Sequence, residues 1–288
     1  MFKIGNVSIK NEFVIAPMLG VNCNAFYRLF DDIGMIYGPM IMYTKLDEIG
    51  IDRIKEIYLD FSNLDCVKVG QIAGNLTNIN KLITLVRLIS DSVDIIDFNA
   101  CCPMPHITGD KSGAYLMKET SQLYNIVAKL VEISSKPVTV KIMLGYDKNN
   151  ALEVALKLQD LGVAAITITP KLHKGGSLDY DTVKLLKEKL LIPVIYSGGI
   201  HKPGNVKFIF SFAKVDAVMF ASGVKGDPLL YYRSRYLMDN DKNLDYSKKE
   251  FVVEQKKYIS KFKKFYKEQK NQSSSEYEQH LKWMQAKL

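Results

Sequence analysis

Residues 165–197 read AITITPKLHKGGSLDYDTVKLLKEKLLIPVIYS, and a complete strand–helix–strand unit is legible in them. The two ends, Ala165–Thr169 and Val194–Ser197, are short runs rich in β-branched residues, bounded by turn residues and too short for helices. Between them Thr182–Leu190 is amphipathic at helical spacing. A strand, a helix and a second strand in that order make the strands parallel, because the helix supplies the crossover.

The same grammar recurs on both sides. Further strand-like runs are Phe13–Pro17, Met40–Tyr43, Val67–Gln71, Ile95–Asn99, Val138–Ile142 and Ala217–Ala221. Amphipathic stretches separate most of them, as in Leu123–Ile133, where Ile126, Leu130 and Ile133 recur with the helical period. Eight strands in about 230 residues predict an α/β fold of the (β/α)8 TIM-barrel type. A doubly wound open sheet would not need eight strands, and no glycine fingerprint follows the first run. Strand signals stop near Tyr231. Beyond it Phe251–Glu268 and Glu276–Lys287 read as charged amphipathic helices around the polar break Asn271-Gln272-Ser273-Ser274-Ser275. The predicted division is a barrel over 1–230 and a small helical domain over 231–288.

The chain has 288 residues, 47% hydrophobic and 24% charged, which excludes wholesale disorder, collagen and coiled coil. No apolar run is long enough to span a bilayer, and the first residues lack a signal-peptide pattern. Four cysteines (Cys23, Cys66, Cys101, Cys102) fit neither a disulfide framework nor a paired CxxC zinc pattern, so no metal is expected and the expected location is the cytoplasm. The net charge is +8, and most of it is at one end. Residues 231–288 carry 14 Lys/Arg against 8 Asp/Glu, whereas the first 230 hold 25 against 23. Such a tail is either a solvated lysine-rich helix or a surface for a polyanion.

Barrels of this type carry their chemistry on the carboxyl ends of the strands and the loops that follow. Ser197-Gly198-Gly199 and Ala221-Ser222 close the seventh and eighth strands, the usual place for a phosphate. A lone Gly-Gly marks only a turn, but two such loops at adjacent strand ends point to phosphate binding. In the fifth strand Thr139 and Lys141 face the side opposite Val138 and Val140, and an ammonium directed inward needs an anion or the mouth. Gln71 offers a carbonyl and an amide able to pair with a heterocycle edge. Cys102, just after the fourth strand, suits a nucleophile or a general acid, or else is a small buried apolar residue.

Taken in order, these strand ends resemble the tRNA-dihydrouridine synthases, flavoprotein barrels that reduce a uridine in tRNA. The resemblance rests on Ala16-Pro17-Met18-Leu19-Gly20-Val21 with Phe26-Tyr27-Arg28-Leu29, and on Gln71-Ile72-Ala73-Gly74. It continues through Asp97-Phe98-Asn99 with Cys102-Pro103, Gly113-Ala114-Tyr115-Leu116 and Pro137-Val138-Thr139-Val140-Lys141-Ile142. His280-Leu281-Lys282-Trp283 is similar to part of the family's C-terminal helical domain. The resemblance implies FMN in the barrel mouth, with NADPH as reductant. Pro17, Met18 and Leu19 would lie along the isoalloxazine, with Gln71 and Lys141 on its polar edge. Ser197, Gly198, Gly199, Ala221 and Ser222 would receive the ribityl phosphate. Asn99 would orient the flipped uracil, and Cys102 would give the proton to C5 while reduced flavin gives hydride to C6. The basic tail would contact tRNA phosphates; no protein partner is called for.

The chain departs from the family pattern in several places. Cys101 stands for glycine, Ser197-Gly198-Gly199 for Asn-Gly-Asp, Ala221-Ser222 for Gly-Arg and Met143 for arginine. Thr169-Pro170-Lys171 stands for His-x-Arg, leaving Lys171 or the nearby His173 to replace a lost cation. Two alternatives follow. Ser-Gly-Gly-Ile after strand seven and Asn-x-x-Cys-Pro after strand four also resemble dihydroorotate dehydrogenases, FMN barrels acting on a free pyrimidine. A barrel that only binds RNA is the other.

Overall fold

The computed structural model describes residues 1–269 and 272–288. Eleven strands form in them: β1 (Phe2–Ile4), β2 (Val7–Ile9), β3 (Phe13–Ile15), β4 (Met35–Tyr37), β5 (Ile41–Met42), β6 (Val67–Ala73), β7 (Ile95–Ala100), β8 (Val138–Gly145), β9 (Ala165–Leu172), β10 (Val194–Ser197) and β11 (Ala217–Phe220). From β3 to β11 they make one parallel sheet in the order β4-β3-β11-β10-β9-β8-β7-β6-β5, closed by the pairing of β4 with β6. This is the (β/α)8 barrel, with helices such as Ile79–Ile89, Thr120–Ile133 and Tyr180–Lys189 between the staves.

The expected second strand, Met40–Tyr43, is corrected by the structure. The stave is β4, and only Ile41–Met42 continues along β6 after a bend at Gly38-Pro39. A Cβ at Gly38 would lie 2.4 Å from the Tyr58 carbonyl oxygen, and Pro39 has no N–H for a ladder. The hairpin β1–β2 was not expected, since three-residue strands fall below any periodic window. Its Ile4 and Ile9 join Val14, Met35, Val69, Ile95, Ala165, Ile195, Ala217 and Met219 in one buried cluster that closes the amino end of the barrel.

Inward positions follow the period of two, and they change character along the axis. Apolar at the amino end, they become Gln71, Asp97, Thr139 and Thr167 one layer up, all buried. Asn99, Lys141 and Ser197 stand above those. The polarity gradient points at the carboxyl mouth.

Helix Leu229–Asn240 spans the position expected to divide the chain. Tyr231 on it is fully buried and meets Phe13 and Phe220 edge to face, with ring centroids 5.7 and 6.0 Å apart, so this helix covers the barrel wall. Two further helices follow, Lys248–Glu268 and Ser274–Gln285; Asn271 of the expected polar break lies outside the described residues. Ser247 caps the first by a capping box with Glu250, and Ser273 caps the second. The pair docks on loops that leave the carboxyl ends of β3 and β11. Gln269 Oε1 accepts from the Ala25 N–H (3.1 Å) and Arg28 pairs with Glu268 (2.7 Å). Gln255 Nε2 donates to the carbonyls of Gly226 (2.6 Å) and Met284 (3.1 Å), and the Lys225 ammonium lies 3.7 Å from the Trp283 ring centre. The helical pair therefore stands beside the mouth. No described helix is long and apolar enough to cross a membrane.

Candidate active site

A cavity of about 600 Å³ opens at the carboxyl end of the barrel. Pro17, Leu19, Gln71, Asn99 and Cys102 line it, together with Met40, Met42, Lys45, Tyr58 and His106. Leu19 is 72% and Met104 50% exposed, which gives the opening an apolar lip. Met18 lies partly buried beneath, and its carbonyl accepts from the N–H groups of Val21 and Asn22.

The polar wall is one connected chain of hydrogen bonds. Thr139 Oγ1 donates to Asp97 Oδ1 (2.6 Å), and Gln71 Nε2 donates to Asp97 Oδ2 (2.8 Å). Asn99 Nδ2 donates to Gln71 Oε1 (2.9 Å), while Asn99 Oδ1 accepts from the N–H groups of Cys101 and Cys102 (2.9 and 2.8 Å). A carboxylate accepts only, so Asp97 orients the Gln71 amide, which orients Asn99, which holds the loop carrying the thiol. Gln71 and Asn99 each keep one N–H unspent among the described residues. Lys141 stands in register with Asn99 on the neighbouring strand and makes no hydrogen bond among the described residues.

Electrostatics sort the two acids. Burial pushes Asp97 up to about 6, against the opposing pull of Thr139, Gln71 and Lys141. Burial also raises the Cys102 thiol, with Lys141 acting weakly the other way. At neutral pH Cys102 holds its proton and Asp97 is mostly ionised. The neighbouring Cys101 thiol turns away to the Thr169 hydroxyl at 3.3 Å.

On the adjoining arc of the rim, Ser197 ends β10 beside Met219 of β11. The N–H groups of Gly198, Gly199, Ser222 and Gly223 donate to nothing among the described residues. Gly198 (φ +133°) and Gly199 (φ +64°) adopt backbone that favours glycine, and a Cβ at Gly198 would have nothing within 3.7 Å. Ala221 precedes the short turn of Ser222–Val224. His173 stacks on Tyr146 (centroids 4.2 Å apart, 15° between planes), its Nδ1 buried without a partner among the described residues, whereas Lys171 is exposed. Neither these residues nor Lys141 line the 600 Å³ chamber; they stand on the same rim outside it.

Sequence reasoning missed Asp97 and Thr139 as supports, although Asp97 lies inside the motif that marked Asn99. It also missed Met40, Met42, Lys45, Tyr58 and His106 as lining: they reach the chamber from the run ending in β5 and from the short turns Tyr43–Lys45, Ile54–Tyr58 and Pro105–Gly109, too brief for a periodic signal.

Fold and site define a barrel enzyme whose mouth sets a protonated thiol and two carboxamides on one apolar chamber, with the Lys141 amine on the rim outside it. The sequence profile of the dihydrouridine synthases matches residues 14–287. The tRNA-dihydrouridine synthase B of Pasteurella multocida is 27% identical over 253 residues, covering 83% of this chain and 73% of that protein. That of Shewanella oneidensis is 26% identical over 247 residues, covering 84% and 76%. Among solved structures, mandelate oxidase with 3,3-difluoro-2-hydroxy-3-phenylpropionic acid superposes with a TM-score of 0.52 at 18% identity, over 79% of this chain and 70% of that one, a likeness of fold. The chain belongs to the dihydrouridine synthase family, and with it to the flavin-dependent oxidoreductases.

Proposed function

We propose that the chain reduces the C5–C6 double bond of a uridine in tRNA, with FMN as cofactor, NADPH as reductant and Cys102 as general acid. The observation that carries this reading is the thiol. Cys102 shares a chamber wall with Gln71 and Asn99, and burial keeps it protonated at the pH where it must give a proton away. The chain's membership of the dihydrouridine synthases favours tRNA over a free pyrimidine of the orotate type.

The residues fit FMN. Its ring edge presents acceptors, and the unspent N–H groups of Gln71 and the unbonded Lys141 amine are matching donors; Pro17, Met18 and Leu19 supply an apolar face. A phosphate needs several converging donors, and the free N–H groups of Gly198, Gly199 and Ser222, with Ser197 and Ala221 framing them, are of that kind. His173 replaces the family's cation there, its unpartnered Nδ1 being the supporting observation. When bound, reduced FMN supplies the hydride for C6. Asn99 orients the uracil with its free N–H, Cys102 delivers a proton to C5, and solvent restores the thiol. The apolar lip of Leu19 and Met104 excludes water from a base turned out of the tRNA stack.

The helices from Lys248 onward are assigned to the tRNA backbone. Lys256, Lys263, Lys264 and Lys267 are exposed on the first of them and take part in no ion pair among the described residues. With tRNA as substrate, the location assigned to the chain is the cytoplasm. Mass spectrometry of tRNA before and after incubation with the protein and NADPH should show a gain of two hydrogen atoms on a uridine. Cys102→Ala should lose that product and keep its yellow cofactor. A variant that turns over normally would remove Cys102 as the acid, and a colourless protein indifferent to FMN would overturn the whole reading.

A further inference from the structure

Away from the mouth, three ligand-type side chains from opposite ends of the sequence meet. Cys23 follows the loop that leaves β3, and Glu276 and His280 lie one turn apart on the last helix. Cys23 Sγ and His280 Nε2 are 3.9 Å apart, and one ligand atom from each of the three lies within 4.8 Å of the others. Cys23 and His280 are buried, and Glu276 is partly open to solvent.

We infer that Cys23, Glu276 and His280 form a binding site for a zinc-class divalent cation that fastens the C-terminal helices to the barrel. The donor set is sulfur, imidazole nitrogen and carboxylate oxygen, the mixture that borderline-soft divalent ions select. Bonds of about 2.3 Å to sulfur and 2.0 Å to nitrogen in a tetrahedron put those two atoms about 3.5 Å apart, so the pair observed needs only a few tenths of an ångström.

The surroundings support a ligand's role for the imidazole. The ring turns Nε2 toward the Cys23 sulfur, so this is the nitrogen that would bind the ion. Phe26, Phe262 and Trp283 pack around the imidazole with centroids 5.5, 4.8 and 5.1 Å away, which fixes its plane. Tyr266 donates to Glu276 Oε2 at 3.1 Å, leaving the other carboxylate oxygen for the ion. The half-open Glu276 edge is the entry path and the place for a water as fourth ligand. Binding releases the Cys23 proton and joins residue 23 to residue 280 across almost the whole chain. This inference is independent of the redox reading.

The full-length flavoprotein, reduced with a non-chelating thiol reagent and stripped with EDTA, is titrated with Zn²⁺ and separately with Co²⁺. The site requires one ion per chain, a thiolate-to-cobalt absorption band in the near ultraviolet, and a higher melting temperature with Zn²⁺. Cys23→Ser should abolish the sulfur band, and Glu276→Gln should weaken affinity about tenfold or more. Flavin content and far-ultraviolet circular dichroism report whether each variant is folded. If Cys23→Ser proves unfolded, Glu276→Gln and the wild-type cobalt spectrum remain as the test. Substoichiometric binding, a cobalt spectrum without a sulfur band, or affinity unchanged in folded Glu276→Gln would overturn the site and leave the three side chains as a packing cluster.

Discussion

Asp97 shows how one side chain sets a whole wall. Fully buried, its carboxylate fixes the order of donors and acceptors from Thr139 through Gln71 and Asn99 to the Cys102 loop. Because its folded pKa, about 6, lies above the ordinary 3.8, the fold binds this proton more tightly than the unfolded chain does. The contribution is fully present below pH 4 and is lost as pH rises through 6, an effect of about 3 kcal/mol. Lys141 and Tyr37 are the ionisable groups that face it. The stability difference between wild type and Asp97→Asn, measured by urea unfolding, should therefore shift by about that amount between pH 4 and pH 7. A pH-independent difference would mean that Asp97 titrates normally. The same substitution would also present an amide N–H to Gln71 and reverse the order of donors and acceptors, so uridine reduction should fall and flavin binding should weaken with it, since Gln71 serves both.

Short turns carry the site at the next scale. Gly113, in the Gly-Ala-Tyr-Leu motif, has φ +58°, and a Cβ there would lie 2.7 Å from the Cys102 carbonyl oxygen. That carbonyl accepts from the Ala114 N–H at 3.0 Å, so the motif is the seat of the thiol loop. Gly113→Ala should cost about 2 kcal/mol, and by moving Cys102 should slow product formation about tenfold or more while flavin stays bound. Single-turnover oxidation of the reduced enzyme by tRNA would read this. Gln255 plays the matching part for the last helices, joining the carbonyls of Gly226 and Met284 from a fully buried position. Gln255→Leu leaves both carbonyls unpaired and should destabilise the tail by about 2–3 kcal/mol, visible as faster proteolysis beyond residue 240. Element types here were legible from period and turn residues. The second stave was not, because Gly38 and Pro39 break a strand whose period is too short to register.

Across the whole molecule, charge and position act together. The basic helix Lys248–Glu268 is held beside the mouth by contacts to loops after β3 and β11, so phosphates bound there would bring a base to the chamber. Replacing Lys256 and Lys264 by Glu should weaken tRNA binding and lower the slope of log affinity against log salt by about two or more, with flavin content unchanged; an unaltered slope would remove this face from the tRNA path. The barrel, its mouth and the residues Gln71, Asn99, Cys102 and Lys141 were readable along the chain, because parallel βα units and strand-end motifs are local patterns whose closure follows from strand count. The helix Leu229–Asn240 belongs to the barrel wall, the 231 boundary notwithstanding, because burial of Tyr231 against Phe13 and Phe220 depends on residues some 200 positions distant. The support of the thiol by Asp97 and the meeting of Cys23 with His280 are likewise contacts between distant strands and helices. No periodicity encodes them; they exist once the chain has closed on itself.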